Sequence, residues 1–398
     1  MAISFEEARQ IIQGQARPLG RERIPLTEAC GRVLAEAVSA PWDLPAWDNS
    51  AMDGFAVRSQ DCARPEASLR ISGYIPAGAQ ALERVEEGCA IRIMTGAPLP
   101  AGADAVVPVE EVAEAEGTIT LTARVEPGQH IRRQGEDVAR GEPFMAAGTR
   151  LRPDGINLLA SFGQAFVPVF RRPRVAILST GDELVELGET PAPGQIINSN
   201  SLSLAAAIRE AGGEPLLLGI ARDEVDSLRA KLAEGLQADI LITSAGVSAG
   251  DRDLVREVLA DLGVRELFWK VAIKPGHPTA FGFKDDCLVF SLPGNPVSTL
   301  MTFEFLVKPA LGRICGGVDV IKPRVRAVLR ESTKKKKGRL QFMRVSLIQE
   351  GDVLYAASAG DQHTGMVSTM VRAEGIAILP ADGDRVEEGT LVEVHLLE

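Results

Sequence analysis

The 398-residue chain has no GxxxxGK[ST], and no GxGxxG opens a helix after a strand. These are the loops by which P-loop nucleotidases and dinucleotide-binding folds hold phosphate, and neither class fits. Its cysteines, Cys30, Cys62, Cys89, Cys287 and Cys315, are odd in number and far apart, without CxxC or Cys/His ligand spacing. Neither a disulfide framework nor a structural zinc site is indicated. No run of about 18 apolar residues is present, and "MAISFEEARQ" places acids where a secretory signal carries bases. A cytoplasmic protein without a membrane part is expected. Positive charge is also short: Lys and Arg number 43 against 54 Asp and Glu, a net charge of −11 that repels nucleic acid in bulk. Any anion site must therefore be a local cluster of donors. The one dense basic run, "KKKKG" at 334–338, has no interleaved aromatics and reads as a solvated hairpin tip.

A 45% hydrophobic and 24% charged composition is that of a soluble globular protein. At this length about two to four domains are expected. The middle of the chain alternates short apolar runs with helical patterns: "RVAILST" precedes "NSNSLSLAAAIREAGG", "PLLLGI" precedes "ARDEVDSLRAKLAEGL", and "DILITS" precedes "DLVREVLADLG". "ELFWKVAI", "TAFGF" and "CLVFSL" read as further strands, and "PGNPVSTLMTFEFLVKPAL" as a break followed by helix. This rhythm predicts a doubly wound, mostly parallel α/β domain over about 172–318. Residues 43–140 are rich in Gly and Pro with short alternating stretches, which predicts an inserted β-rich domain. The flanks 1–42 and 141–171, with "FEEARQIIQG", "LTEACGRVLAEAV" and "DGINLLASFG", read as the two halves of a helical domain. Residues 319–398 read as a C-terminal β-barrel-like domain. The fold class is thus multidomain α/β and β.

In open α/β sheets, ligands bind beyond the carboxyl ends of the strands, where loops lead into helix N-termini. Three loops qualify: "STGDEL" (179–184), "TSAGVSAGDRD" (243–253) and "SLPGNPVS" (291–298). Their small residues admit a ligand to the backbone, and their hydroxyls donate to anions. "WKVAIKPGHP" adds Lys270, Lys274 and His277 at a strand end. Asp182, Glu183, Asp223, Asp251 and Asp253 all fall where strands give way to loops or helices. One or two such carboxylates together with substrate phosphates are the usual setting for Mg²⁺. Each alone reads equally as a first-turn or N-cap acid.

Seven segments in order, "PAWDNSAMDGFAVR", "RIMTGAPLP", "RRQGEDV", "ILSTGDEL", "TSAGVSAGDRD", "AIKPGHP" and "LPGNPVS", resemble the molybdopterin molybdenumtransferases, the MoeA family that includes the E domain of gephyrin. The resemblance covers essentially the whole chain. It implies that the α/β domain is of the molybdopterin-binding type, within a four-domain homodimer in which that domain faces domains of the other protomer. It also implies conversion of adenylylated molybdopterin and molybdate to molybdenum cofactor and AMP, with Mg²⁺.

By the same resemblance Asp53, Thr95 and Asp137 belong to the active cleft. Glu183, Asp223 and Asp253 position metal and phosphate, with Glu183 and Asp253 as the metal ligands. Lys270 and Lys274 offset phosphate or molybdate charge. Ser244, Gly246, Ser248, Gly250, His277, Pro293, Gly294, Asn295, Pro296 and Arg344 shape the ligand pocket. Two departures stand out. Many members carry lysine where this chain has His277, replacing a fixed cation by a group that is mostly neutral at pH 7. "DQHTG" (361–365) stands where a glutamine followed by small residues and serine is usual, which places His363 and Thr364 beside an oxyanion contact of Arg344. The implied mechanism is metal-assisted cleavage of a phosphoanhydride. A molybdopterin adenylyltransferase, which has a similar α/β domain with "SGG"-type loops, and a scaffold protein with a degenerate site are the competing readings. Implied partners are an adenylyltransferase that hands over substrate and the recipient molybdoenzymes.

Overall fold

The computed structural model describes residues 2–246, 254–317 and 324–397. The chain divides into two compact units, one of Met1–Ala35, Gly148–Ile156 and Phe166–Glu398, the other of Glu36–Ala147 and Asn157–Ala165. Helix α1 (Phe5–Gln15) is capped by Ser4, whose Oγ accepts from the Glu7 amide. Along helix α2 (Pro153–Ser161) the chain passes from the first unit to the second.

The first unit is built on a six-stranded sheet in the order Glu214–Ala221, Arg174–Thr180, Ile240–Ser244, Cys287–Leu292, Ala280–Lys284, Arg265–Trp269. The first four strands are parallel and the last two add an antiparallel edge. Central parallel strands are buried on both faces and need continuous apolar runs. Accordingly every residue of Ile240–Ser244 and of Cys287–Leu292 is buried. Alternate residues feed opposite cores. Val175, Ile177, Ile240, Ile242 and Phe290 pack with Leu204 and Ile208 of helix α3 (Ser199–Glu210) and with Phe5 and Ile12 of α1. Ala176, Leu178, Leu241 and Val289 pack with Leu228 and Leu232 of helix α4 (Val225–Gly235) and with Val255 and Val258 of helix α5 (Leu254–Asp261).

After the sheet, helix α6 (Pro296–Thr302) continues through a π-helical turn, Phe303–Val307, into helix α7 (Lys308–Ile314). The C-terminal module is a closed five-stranded barrel. Leu340–Glu350, Val353–Ser358, Arg324–Leu329, Leu391–Leu396 and Gly375–Leu379 pair in that order, and the last strand pairs back to the first. Closure leaves no free sheet edge, and Ala327, Ala356 and Ala377 let the walls approach around Met343 and Val345. The π turn meets this barrel. Phe305 stacks on Phe342 at 4.1 Å between centroids, and Glu304 Oε1 lies 2.8 Å from His395 Nε2. Lys308 Nζ donates to both Glu304 oxygens at 3.1 and 3.0 Å. Burial pushes the Glu304 carboxyl upward, but the His395 and Lys308 contacts outweigh it and hold the carboxyl below its ordinary range.

The second unit carries a six-stranded sheet in the order Ala105–Pro108, Gly54–Val57, Cys89–Ile93, Ser68–Ile75, Thr118–Leu121, Val112–Ala115. Phe55, Val57, Leu69 and Ile119 fill one of its cores, and Ile75, Ile91 and Ile93 another.

Two sequence readings are corrected. "LTEACGRVLAEAV" is not a helix: after a 3₁₀ turn at Leu26–Glu28, Gly31 takes φ +78° and its amide donates to the Leu151 carbonyl. Val33 and Leu34 then bridge to Arg150 and Val169. A left-handed glycine ends helical progress, and tertiary pairing overrides the apolar spacing. "KKKKG" is not wholly solvated either. Lys335 is buried and its Nζ donates to the Gly383 carbonyl at 2.9 Å.

The Glu304 contacts make a testable case. Glu304→Ala leaves Lys308, only 6% exposed, without its main partner. Removing one member of a buried pair costs about 3–5 kcal/mol, so urea denaturation of the full-length variant should show a loss of that size. A loss within the range of a surface pair, about 1 kcal/mol or less, would sink this account. Because the folded pKa of Glu304 is lowered, its contribution is fully present above the ordinary carboxylate pKa. It disappears as pH falls through the folded value, so wild type and variant should converge in acid.

Candidate active site

Ser179 pairs with Ser244, and Ser244 with Leu292, in one row across the parallel strands. The loops that follow therefore leave the sheet side by side. They enclose a cavity of about 350 Å³, within the range of about 300–1,000 Å³ typical of small-molecule sites. Of the residues expected to shape the site, Glu183, Ser244, Gly246, Pro293, Gly294, Asn295 and Pro296 line it. Ser248, Gly250, Asp251 and Asp253 lie outside the described residues.

Local packing explains the small residues. Gly246 has φ +74°, and a Cβ there would collide with Val255 Cγ2 and stand 3.0 Å from Thr180 Oγ1. Gly181 has φ +138°, and its missing Cβ leaves room for the Glu183 carboxylate.

Among the lining residues that the sequence pattern did not mark are Asn198 and Asn200, in a segment read only as part of a helix. Asn198 caps α3 and accepts from Ser179 Oγ at 2.8 Å. Asn200 Nδ2 donates to Ser244 Oγ at 2.9 Å and to the Gly294 carbonyl at 2.7 Å, tying the helix start to both neighbouring loops. Several buried polar atoms here have no hydrogen-bond partner among the described residues: Asn198 Nδ2, Asn200 Oδ1, Thr180 Oγ1 and Thr243 Oγ1. Buried polar atoms are nearly always paired. Donors and acceptors left open beside a cavity suit a polar ligand.

Carboxylates stand at one side. Asp182 Oδ1 accepts from the Asp223 amide at 3.3 Å, and Arg222 donates to the Asp182 and Leu184 carbonyls at 3.1 and 3.2 Å. Burial, then the charges of Asp182 and Glu183, raise the Asp223 carboxyl. Such like-charged oxygens favour a hard cation. Among the described residues no three metal-ligating side chains converge. Of Asp182, Glu183 and Asp223, only Glu183 lines the cavity.

The cations differ in what holds them. Lys270, at φ +75°, places Nζ 3.6 Å from the Trp269 ring centroid. Lys274 is exposed on a two-residue strand that pairs with Leu340 and Gln341 of the barrel, and it has no ion pair among the described residues. His277 is not a cation. Its Nδ1 lies 2.7 Å from the Val271 carbonyl, and burial, with repulsion from Arg339, Lys270 and Lys336, lowers its pKa. Arg344 is fully buried, and its guanidinium is engaged by the carbonyls of Asp361 at 2.8 Å and His363 at 3.2 Å. Both bonds come from Nη2, and the buried Nε has no partner among the described residues. Arg344 thus shapes the 361–365 loop, which meets the cavity wall where the Val297 amide donates to the Thr364 carbonyl.

In the second unit, Asp53 Oδ1 accepts from the Thr95 amide at 2.7 Å and from its hydroxyl at 2.8 Å, and these bonds lower the Asp53 pKa. A Cβ at Gly54 would collide with the Val107 carbonyl, which explains the glycine in "AMDG". Asp137 is exposed, with its amide donating to Leu44, and no hydrogen bond among the described residues joins it to the Asp53 and Thr95 pair.

Residues 3–163 match the MoeA N-terminal region (domain I and II), 176–313 the probable molybdopterin binding domain, and 326–397 the MoeA C-terminal region (domain IV). The chain is 38% identical over 404 residues to the molybdopterin molybdenumtransferase of Haemophilus influenzae, covering 99% of this chain and all of the relative. It is 38% identical over 411 residues to that of Synechococcus elongatus, covering all of both. The molybdopterin biosynthesis MoeA protein of Pyrococcus horikoshii is similar in structure, with a TM-score of 0.84 at 33% identity over the full length of both chains. The chain belongs to the MoeA family of molybdopterin molybdenumtransferases.

The lowered pKa of His277 makes a specific expectation. Followed by NMR, its imidazole should titrate with a midpoint below the ordinary value of about 6.5, so that the ring is neutral at pH 7. A midpoint at or above that value would restore it as a cation of the site.

Proposed function

We propose that this chain inserts molybdate into adenylylated molybdopterin with release of AMP, giving molybdenum cofactor. The single observation that carries the reading is the strand-end cavity, where Asn198 Nδ2 and Asn200 Oδ1, without partners among the described residues, share the wall with the Glu183 carboxylate. A match over the full chain, not over the α/β domain alone, supports the transferase rather than an adenylyltransferase.

In this reading Asn200, Ser244 and the 293–296 turn orient the phosphorylated pterin, and the glycines allow its approach to the backbone. Lys270 and Lys274 offset the charge of phosphate and molybdate, while neutral His277 contributes shape and a polar edge. Glu183, with Asp223 and Asp253, would hold Mg²⁺, which when bound neutralises phosphate charge and polarises the phosphoanhydride. Thr95 holds Asp53 ionised, and Asp53, Thr95 and Asp137 serve the same reaction. Ser248 and Gly250 serve the same ligand, and Arg344 acts through the 361–365 loop that it holds. The protein works in the cytoplasm as a homodimer, receiving substrate from an adenylyltransferase and passing product to molybdoenzymes.

The test is AMP release from adenylylated molybdopterin, with and without molybdate and Mg²⁺ and in the absence of ATP, coupled to activation of an apo-molybdoenzyme. A charge-assisted hydrogen bond contributes about 1.5–3 kcal/mol. Lys274→Ala and Glu183→Ala should therefore each lower kcat/KM by about 10- to 150-fold. Full AMP release by folded Glu183→Ala protein would remove that carboxylate from the chemistry, and release that depends on ATP would point to an adenylyltransferase.

A further inference from the structure

A second cavity in the first unit, of about 270 Å³, shares no lining residue with the strand-end cavity. Its wall begins at a two-stranded ribbon, Arg21–Pro25 paired with Phe166–Phe170. Arg32 crosses this ribbon, donating to the Phe170 carbonyl at 2.8 Å and pairing with Glu22. The opposite wall is the C-terminal end of α3, at Ala211 and Gly212, and the end of α7, at Gly312 and Cys315. The Cys315 thiol reaches the Gly212 carbonyl at 3.8 Å, and a Cβ at Gly316 would collide with the Phe170 ring. Gaps of this kind hold the two walls close.

Three arginines line this space: Arg32, Arg150 and Arg172. Arg150 and Arg172 are exposed, and neither side chain has an ion pair or hydrogen bond among the described residues. All three bear on Cys315, partly offsetting the burial that raises its thiol to about 11. The plainest alternative is that they offset the partial negative charge of the two helix ends, about half a unit each. Each helix, however, carries its own base for that purpose, Arg209 in the last turn of α3 and Arg313 in the last turn of α7. Among the described residues Glu22 is the one carboxylate paired with the three. Even if both helix ends are counted against them, three positive charges face roughly two negative ones, in a chain whose net charge is −11.

We propose that this cavity binds a compact phosphate-bearing anion, inorganic phosphate or a short phosphate monoester. Guanidinium groups match phosphate oxygens in paired hydrogen bonds. A volume of about 270 Å³, just under the range of about 300–1,000 Å³ for drug-sized ligands, suits a small anion. The site is also remote from the proposed chemistry. The first residues of α3, Ser199 and Asn200, line the strand-end cavity, and the residues just beyond its end line this one. Of the twelve residues of this helix all those after Asn200 lie between the two linings, a rise of about 17 Å at 1.5 Å per residue.

Cys315 gives a local readout, because it lines the cavity and is partly exposed. Its alkylation by iodoacetamide in the full-length protein, resolved by peptide mass spectrometry, would be followed with inorganic phosphate or glycerol 3-phosphate and with NaCl at matched ionic strength. At a ligand concentration of about ten times Kd, the free site falls about tenfold, and alkylation of Cys315 should slow by that factor while exposed Cys30 reacts unchanged. Preference for one probe tells free phosphate from a monoester. The charge-reversed pair R150E/R172E should abolish protection, and R150K/R172K should keep part of it. Unchanged Cys315 reactivity, equal protection by NaCl, or equal protection in R150E/R172E would each overturn the proposal.

Discussion

The strand-end cavity exists because three parallel strands end in one register. Val175, Ile240 and Leu288 form one row, and Ser179, Ser244 and Leu292 form the last. A slip of one residue would turn each strand's side chains to the opposite face, exchanging the two cores and withdrawing the serines from the rim. With the register kept, Ser179 and Ser244 present hydroxyls to Asn198 and Asn200, and the start of α3 is held against the sheet by these two contacts. The glycines then follow from crowding: Gly246 and Gly294 are small because the loops that issue from adjacent strands press on one another.

The barrel is related to this rim by more than chain connection. Strand Ile273–Lys274 leaves the α/β domain to pair with Leu340 and Gln341 at the start of a barrel strand. On the other side, the π turn inserts Glu304 and Phe305 against His395 and Phe342. A buried ion pair contributes little net stability compared with an apolar replacement, since desolvation offsets its attraction. Its directional demand is what matters here. Glu304 meets His395 of the barrel and Lys308 of its own helix together, while Arg344, within the barrel, holds the carbonyls of Asp361 and His363. The 361–365 loop reaches the Val297 amide, next to the lining residue Pro296, so the barrel stands against the turn that walls the cavity without lining it.

Much of the α/β architecture was legible from local pattern, because strands such as "RVAILST", "DILITS" and "CLVFSL" are continuous apolar runs bounded by small residues. The misread segment "LTEACGRVLAEAV" shows where pattern fails. Its apolar spacing suits a helix, but Gly31 in its middle and partners at 150 and 169 decide its course. The site was legible in residue type more than in contact. Asn198 and Asn200 looked like caps because the partner of Asn200 at Gly294 lies 94 residues away. The pairing of Asp53 with Thr95 spans 42 residues and had no local signal beyond the family resemblance. Arg344 shows the reverse case. A basic residue marked as a ligand contact proves to be fully buried and engaged by main-chain carbonyls, which no reading of charge along a sequence can anticipate.

Charge, finally, is distributed against the average of the molecule. With a net charge of −11, the chain attracts an anion only where local donors outweigh that background. At the strand-end cavity they are neutral, the amides and hydroxyls of Asn198, Ser199, Asn200 and Ser244. Neutral dipoles in a partly closed pocket are screened less than exposed charges and discriminate by direction. Neither Lys270, drawn over the Trp269 ring, nor exposed Lys274 lines the cavity. Its polar lining thus consists chiefly of side chains that carry no formal charge, whose directed dipoles favour a ligand by shape and orientation, with the Glu183 carboxylate beside them.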